Sequence, residues 1–303
     1  MRVFITGASG HIGSLVTAEL IENGHEVLGL ARSDASAQRI AELGGEPVLG
    51  TIDDTDRLAE LAAASDGVVN LAFKHDAGDF AAAAASDRAL IEAIGRALEG
   101  SGKPFLAASG TMMLAGSTSP GDVGTESTPI EVARAQNPRA ISEQQLLALS
   151  DRGIRSAALR FAPTVHGPSD LHGFIPALIR FARQNGYAAY VGDGENRWPA
   201  VHNIDAAHLI VLGLERAPGG MPLHAVADEG IPFRRIAEAI GRGAGVPVRS
   251  ISPEEAAGTM GLIGTVAAID NPTSSTETRE VLGWAPTHPG VLEDLAASFY
   301  FNR

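Results

Sequence analysis

The sequence predicts an α/β fold: a parallel sheet with helices on both faces, followed by a smaller C-terminal α+β lobe. Three observations carry this prediction. Short apolar strands alternate with segments of helical periodicity from residue 3 to residue 160. The first strand runs into a helix through a glycine-rich turn. Beyond residue 160 the alternation weakens, and helices separated by short apolar runs replace it. Strands joined through helices run parallel, and a parallel sheet is covered on both faces.

Taken in order, residues 3–6 form a β-branched and aromatic strand. Residues 11–23 place Ile12, Leu15, Val16, Leu20 and Ile21 at helical spacing, with Gly24 where a C-cap belongs. Residues 26–31 are the second strand, and 35–43 the next helix, closed by Gly44 and Gly45. A third strand covers 47–50, and a helix with Asp54 or Thr55 as N-cap covers 54–64. Residues 67–72 read as a buried strand, 80–98 as an alanine-rich helix and 103–108 as the fifth strand. Residues 139–151 are a helix and 154–160 the sixth strand. The segment 109–138 between them is polar and rich in Gly, Ser, Thr and Pro, a length that marks a functional or mobile loop. Further helices are expected at 203–216, 231–242 and 274–282. The expected domains are residues 1–165 and 166–303, with part of 201–226 returning to the first.

The bulk properties narrow the partners. Of 303 residues none is cysteine, which removes disulfides, thiol nucleophiles and cysteine-based zinc sites. No His/Asp/Glu spacing argues for any other metal. A net charge of −13 disfavours nucleic acid. No signal peptide or bilayer-spanning stretch is visible, so the expectation is a cytoplasmic protein without a membrane partner. The profile admits a small-molecule substrate and a homodimeric copy of the chain.

The first junction reads Thr6-Gly7-Ala8-Ser9-Gly10-His11-Ile12-Gly13. Gly7 permits a tight turn, Gly10 lets the backbone approach a pyrophosphate, and Gly13 lets the helix pack against the strand. The helix N-terminus then offers free N–H groups to phosphates. This pattern between a strand and a helix predicts a doubly wound, Rossmann-type dinucleotide-binding unit. An NAD-selective site places a carboxylate at the end of the second strand, whereas this sequence reads Leu30-Ala31-Arg32-Ser33. Arg32 suits a 2′-phosphate, so the expected cofactor is NADP rather than NAD. Arg39 is a second candidate for the same contact.

These residues resemble the extended short-chain dehydrogenase/reductases, relatives of nucleotide-sugar epimerases and dehydratases. The resemblance rests on TGASGHIG at the start, VVNLAF after residue 67 and ASGTMM after the fifth strand. LRFAPTVHGP, VGDGENRWPAVHNIDAAHL and TREVLGWAP follow in order, so it spans essentially the whole chain. It implies that Gly7, Gly10, His11, Ile12 and Gly13 lie along the pyrophosphate. Thr51 and Ile52 match the pair beside the adenine, although the family usually has Asp before the apolar residue. Leu71, Ala72 and Phe73 would line the ribose and pyrophosphate. Ser109 matches the catalytic Ser/Thr, and Ala162, Pro163, Thr164 and Val165 match the loop at the nicotinamide.

The family pattern also carries Tyr-x-x-x-Lys, whose tyrosine moves the proton while the lysine holds the ribose and lowers the tyrosine pKa. Here Arg139 falls at the tyrosine position and Glu143 at the lysine position. The tyrosines are Tyr187, Tyr190 and Tyr300, none followed four residues later by lysine. The chain's lysines are Lys74 and Lys103. Arg139 and Glu143 admit two readings. One is a helix-surface ion pair. In the other, Glu143 accepts from the nicotinamide ribose while Arg139 orients it, meets a substrate anion or stabilises an alkoxide.

Other candidate proton carriers are Lys74, His75 and Asp76 after the fourth strand, with His166 and His202 further on. Position favours His75 and His166. Arg197 matches the neighbourhood of a phosphate-binding arginine in the sugar-nucleotide relatives, and Trp198 reads as core. Three functions follow as expectations. The first is an NADPH-dependent reductase of a small carbonyl compound with an atypical proton donor. The others are a nucleotide-sugar epimerase or dehydratase, and a non-catalytic NADP-binding sensor.

Overall fold

The structure is a computed structural model describing every residue except 75–78, 120, 133–136, 298 and 303. Its centre is a seven-stranded parallel sheet in the order β10-β6-β5-β4-β1-β2-β3. The strands are β1 (Arg2–Thr6), β2 (Glu26–Ala31), β3 (Glu46–Leu49), β4 (Gly67–Asn70), β5 (Pro104–Gly110), β6 (Arg155–Phe161) and β10 (Met221–Ala225). The connecting helices are α1 (Gly13–Glu22), α2 (Asp34–Glu42), α3 (Thr55–Ala63), α4 (Phe80–Leu98) and α5 (Arg139–Ala148). A later helix, α7 (Asn203–Arg216), leads into β10.

Successive side chains of a strand point to opposite faces, and the core divides accordingly. Val3 and Ile5 of β1, Leu106 of β5 and Leu159 of β6 pack with Val16 and Leu20 of α1 and Ile210 and Leu214 of α7. Phe4, Phe105, Ala107 and Ala158 face the other way and pack with Leu58, Leu90, Ile94 and Leu146 of α3, α4 and α5. Both faces of the sheet are therefore sealed by helices, which is why its strands are apolar almost throughout.

The second lobe has its own core of Ile175, Leu178, Phe181, Trp198, Phe233, Ile236, Ile240 and Val291. It carries β7 (Thr164–His166), α6 (Phe174–Asn185), β8 (Ala188–Val191), β9 (Arg197–His202), β11 (Asp228–Pro232), α8 (Phe233–Ala244) and β12 (Val248–Ile251). The short helices α9 (Pro253–Met260), α10 (Leu262–Ala267) and α12 (Val291–Ala296) complete it, whereas α11 (Thr276–Leu282) packs on α7, with Leu282 in the core of the parallel sheet. Strand β9 pairs with β7 and β11, and β8 with β12. No helix among the described residues is long and apolar enough to cross a membrane.

Several expected boundaries move. Helix α1 begins at Gly13, not at residue 11, because residues 10–12 form the turn that bends the chain out of β1. Strand β5 continues to Gly110 and a 3-10 turn follows over Thr111–Gly116, so the start of the expected 109–138 loop is regular structure. The expected 231–242 helix starts at Phe233, since residues 228–232 pair with β9 as β11.

Candidate functional site

The strand order reverses between β1 and β4, and the crevice at such a point, beyond the C-terminal strand ends, is where α/β sheets bind ligands. The glycine turn sits in that crevice. Gly7 has φ +74°, in the left-handed region. A Cβ on Gly13 would lie 2.0 Å from Gly7 O, so only glycine lets α1 start this close to the turn. A Cβ on Gly7 would meet Ala72 N at 3.1 Å, which brings the turn against the segment of Leu71, Ala72 and Phe73. The turn is thus held close by glycines at Gly7 and Gly13, which is the backbone arrangement a pyrophosphate needs, and the residues fit a dinucleotide.

His11 reaches away from the cradle. Its ring nitrogens lie 3.2 Å from Ser169 O and 3.4 Å from Val165 O, tying the glycine turn to the loop after β7. Asn203 Nδ2 donates to Ser169 Oγ at 2.8 Å and steadies that loop. Ile12 is half-buried against the core behind the turn. Pro163 and Val165 are half-buried beside this contact, whereas Thr164 is buried with no hydrogen-bond partner for its hydroxyl.

Arg32 stands at the tip of β2, exposed, and makes no hydrogen bond or ion pair among the described residues. Ser33 caps α2 by accepting from Ser36 N at 3.3 Å. Arg39 is exposed one turn further on. At the tip of β3, the Thr51 amide and hydroxyl both donate to Asp54, at 2.7 and 3.2 Å, with Ile52 half-buried beside them. Lys74 is spent on Asp53, 2.6 Å away.

The tip of β5 holds the densest chemistry. Ser109 and Arg160 are register partners on neighbouring parallel strands. Their side chains share the face covered by α5. Glu143 of α5 meets both: Ser109 Oγ donates to Glu143 Oε2, and Arg160 donates to Glu143 Oε1 from Nε at 2.9 Å and Nη2 at 2.6 Å. Glu143 and Arg160 are buried at 3% and 2% exposure, so this is an interior ion pair. Arg160 Nη1 donates to His224 Nε2 at 3.1 Å, and His224 Nδ1 donates to Ser274 O at 2.7 Å. Burial and the Arg160 charge push the His224 pKa down to about 3, so the ring is neutral and can accept from the guanidinium.

The helix-surface pairing of Arg139 with Glu143 is therefore corrected. Glu143 is taken by Arg160 and Ser109, and no described carboxylate lies within ion-pair distance of Arg139. The Arg139 guanidinium instead lies 4.2 Å above the Phe73 ring, with Nη2 donating to Ala108 O at 2.6 Å. Its Nε is sealed from solvent without a partner. Burial lowers its pKa, opposed by the charges of Asp87 and Glu143. Beside it, Thr6 Oγ1 donates to Asn70 Oδ1 and Asn70 Nδ2 donates to Asp87 Oδ1 at 3.4 Å. Burial raises the Asp87 pKa, and Arg139 is the largest opposing influence.

Other sequence candidates fall elsewhere. His75 and Asp76 lie outside the described residues. His166 is fully buried in the second lobe, its Nδ1 2.6 Å from Asp294 Oδ2. His202 caps α7 by accepting from Ile204 N and stacks on His288. Arg197 is locked onto Asp270 through Nε at 3.1 Å and Nη2 at 2.8 Å. Trp198 is fully buried, as its core reading requires. Arg160, His224, Asn70 and Asp87 were not read from the sequence. The signal available for Arg160 was alternation, since Ala158 and Arg160 share a face of β6.

Residues 3–224 match the model of the NAD dependent epimerase/dehydratase family. An uncharacterized protein of Schizosaccharomyces pombe is 45% identical over 301 residues, covering 99% of this chain and 100% of that protein. A ketoreductase of Stigmatella aurantiaca is 26% identical over 240 residues, covering 73% of this chain and 66% of the relative. Among solved structures, a dTDP-glucose 4,6-dehydratase from Streptomyces venezuelae with NAD bound superposes with a TM-score of 0.77 at 21% identity, covering 99% of this chain and 96% of the other. That likeness shows the same fold over both lobes, and the match over residues 3–224 establishes the lineage: the chain belongs to the NAD-dependent epimerase/dehydratase family.

Proposed function

We propose that this protein is an NADPH-dependent reductase of a small carbonyl compound, acting at Ser109 and Arg139. The observation that carries the reading is the Ser109 hydroxyl at the tip of β5, bonded to the interior carboxylate of Glu143 and adjacent in sequence to Ala108, whose carbonyl clamps the Arg139 cation. A bound reduced nicotinamide supplies the hydride. As the carbonyl oxygen gains charge, a fixed cation in a partly desolvated site stabilises it without reorganising. Ser109 Oγ would turn its hydrogen bond from Glu143 to that oxygen, and the proton that completes the alcohol would come from solvent, since the Glu143 carboxylate, paired with Arg160, has none to give. Gly7, Gly10 and Gly13 would hold the pyrophosphate, and Arg32, exposed and unpaired among the described residues, would hold the 2′-phosphate.

The sugar-nucleotide alternative has less support. Arg197 is neutralised by Asp270, and the cavity of about 250 Å³ beside it is lined by Ala115, Thr118, Ser119, Asp122, Ile269 and Asp270. Two carboxylates and no cation among those residues make a poor seat for a diphosphate. The ketoreductase relative supports carbonyl chemistry in this lineage.

The test is NADPH oxidation against a panel of aldehydes, ketones and oxo acids, with Ser109→Ala alongside. Turnover that falls about 10²–10³-fold in the variant is expected, the usual cost of losing one polar group at a developing oxyanion. Tight NADP binding with no turnover of any carbonyl overturns the reading and leaves a cofactor-binding sensor. Heat stabilisation by a sugar nucleotide, without carbonyl turnover, overturns it in favour of epimerase or dehydratase chemistry.

A further inference from the structure

The unusual group at this site is Arg139, and its hydrogen-bond account does not close. A guanidinium carries five N–H donors. One Arg139 donor is spent on Ala108 O. The Nε–H is sealed from solvent and has no acceptor. Nη1 makes no hydrogen bond to any described residue. A sealed donor on a charged group without an acceptor is costly, so the arrangement is short of an acceptor.

Arg139 also lacks a contact ion pair among the described residues. Lys74 is answered by Asp53, Arg197 by Asp270 and Arg160 by Glu143, each within 3 Å. Arg139 has no such partner among the described residues. The carboxylates that act on it, Asp87 and Glu143, do so through space, and their hydrogen bonds go to Asn70, Arg160 and Ser109. Arg139 thus feels two carboxylates through space and touches neither, a half-buried cation at the tip of β5 with hydrogen-bond donors to spare. Phe73 beneath the plane and Ala108 O at one edge hold the group in one orientation, so it needs little further ordering to bind.

We propose that Arg139 is an anion anchor, and that the carbonyl compound taken here carries a carboxylate one or two carbons from the carbonyl. This deepens the reductase reading and rests on it. A 2-oxo or 3-oxo acid presents a carboxylate oxygen and the carbonyl oxygen on one side, and the planar fork of a guanidinium can bind both. The anchor then places the carbonyl oxygen against the cation that its reduction requires. Arg88 also acts on Asp87 and has an Nη1 unpartnered among the described residues, so inorganic phosphate is the competing anion that the experiment below must separate from a carboxylate.

The experiment uses the full chain saturated with NADP⁺. Calorimetry measures binding of oxamate, an unreactive carboxylate, and of inorganic phosphate, to the native protein, Arg139→Gln and Arg139→Lys. In parallel, NADPH turnover compares pyruvate and acetoacetate with their methyl esters. The expected results are oxamate affinity reduced roughly tenfold or more in Arg139→Gln, partly retained in Arg139→Lys, and a preference for acid over ester that Arg139→Gln abolishes. Unchanged NADP⁺ affinity and thermal unfolding certify the variants, and Arg139→Lys serves if the glutamine form does not fold. Oxamate binding that ignores Arg139, or esters reduced as well as acids, overturns the anchor while leaving the reductase reading intact. Arg139-dependent oxamate binding with no turnover of any carbonyl overturns the reductase reading and leaves the anchor standing. Phosphate bound more tightly than oxamate overturns the carboxylate assignment.

Discussion

Arg160 Nη2 lies 2.6 Å from Glu143 Oε1 in the interface between β6 and α5, with both side chains almost wholly removed from water. A carboxylate at that depth is tolerated because the neighbouring strand supplies its counter-charge. Removing one partner of such a pair is far more damaging than removing both. Arg160→Met is expected to lose about 3–5 kcal/mol of stability. Arg160→Met with Glu143→Gln should recover much of that, since the glutamine still accepts from Ser109. Denaturant unfolding of the double-mutant cycle checks it, and a double variant no more stable than Arg160→Met would discard the charge argument.

Arg32 is exposed and makes no hydrogen bond or ion pair among the described residues, so Arg32→Ala should leave thermal unfolding unchanged. Its effect belongs to cofactor choice. The ratio of NADPH to NADH affinity is expected to fall by about tenfold or more, the worth of one charge-assisted phosphate contact. Fluorescence titration with both cofactors gives the ratio, and an unaltered ratio removes Arg32 as the phosphate reader.

Gly13→Ala introduces a methyl group 2.0 Å from Gly7 O, a backbone atom that can yield only by moving the turn. The expected cost is about 1–3 kcal/mol in stability from overpacking, with weakened NADPH binding because the cradle changes shape. Thermal unfolding and cofactor titration together are the check. Loss of stability with unchanged cofactor affinity would separate the turn from the binding site.

His224 makes stability depend on pH. Its folded-state pKa is pushed down to about 3, against 6.5 for an ordinary imidazole. Below pH 6.5 the unfolded chain takes up a proton that the folded chain refuses, so this contribution is complete above 6.5 and is lost as pH falls toward 3. The slope from this one group approaches about 1.4 kcal/mol per pH unit inside that window. His224→Gln should flatten unfolding free energy between pH 4 and pH 6, and an equally steep variant would rule the histidine out as its source.

The sequence made the sheet, the glycine turn and the tip of β5 legible because each depends on local pattern. Val3, Phe4 and Ile5 announce a strand, and Gly7 and Gly13 announce a turn pressed against a helix. The partner of Glu143 was not legible in the same way. Spacing along α5 suggested Arg139, four residues away, whereas the structure supplies Arg160, 17 residues on. That pairing depends on Ser109 and Arg160 being side by side in the sheet, which strand register decides and helical spacing cannot reveal. His224 was hidden for a similar reason, since it reaches Arg160 only because β10 pairs with β6.

His11 belongs to the glycine turn by sequence and to the second lobe by contact, through Ser169 O and Val165 O. A substitution at position 11 therefore disturbs two places at once, the turn after β1 and the backbone that carries Val165 and Ser169, so neither can be altered through this residue alone.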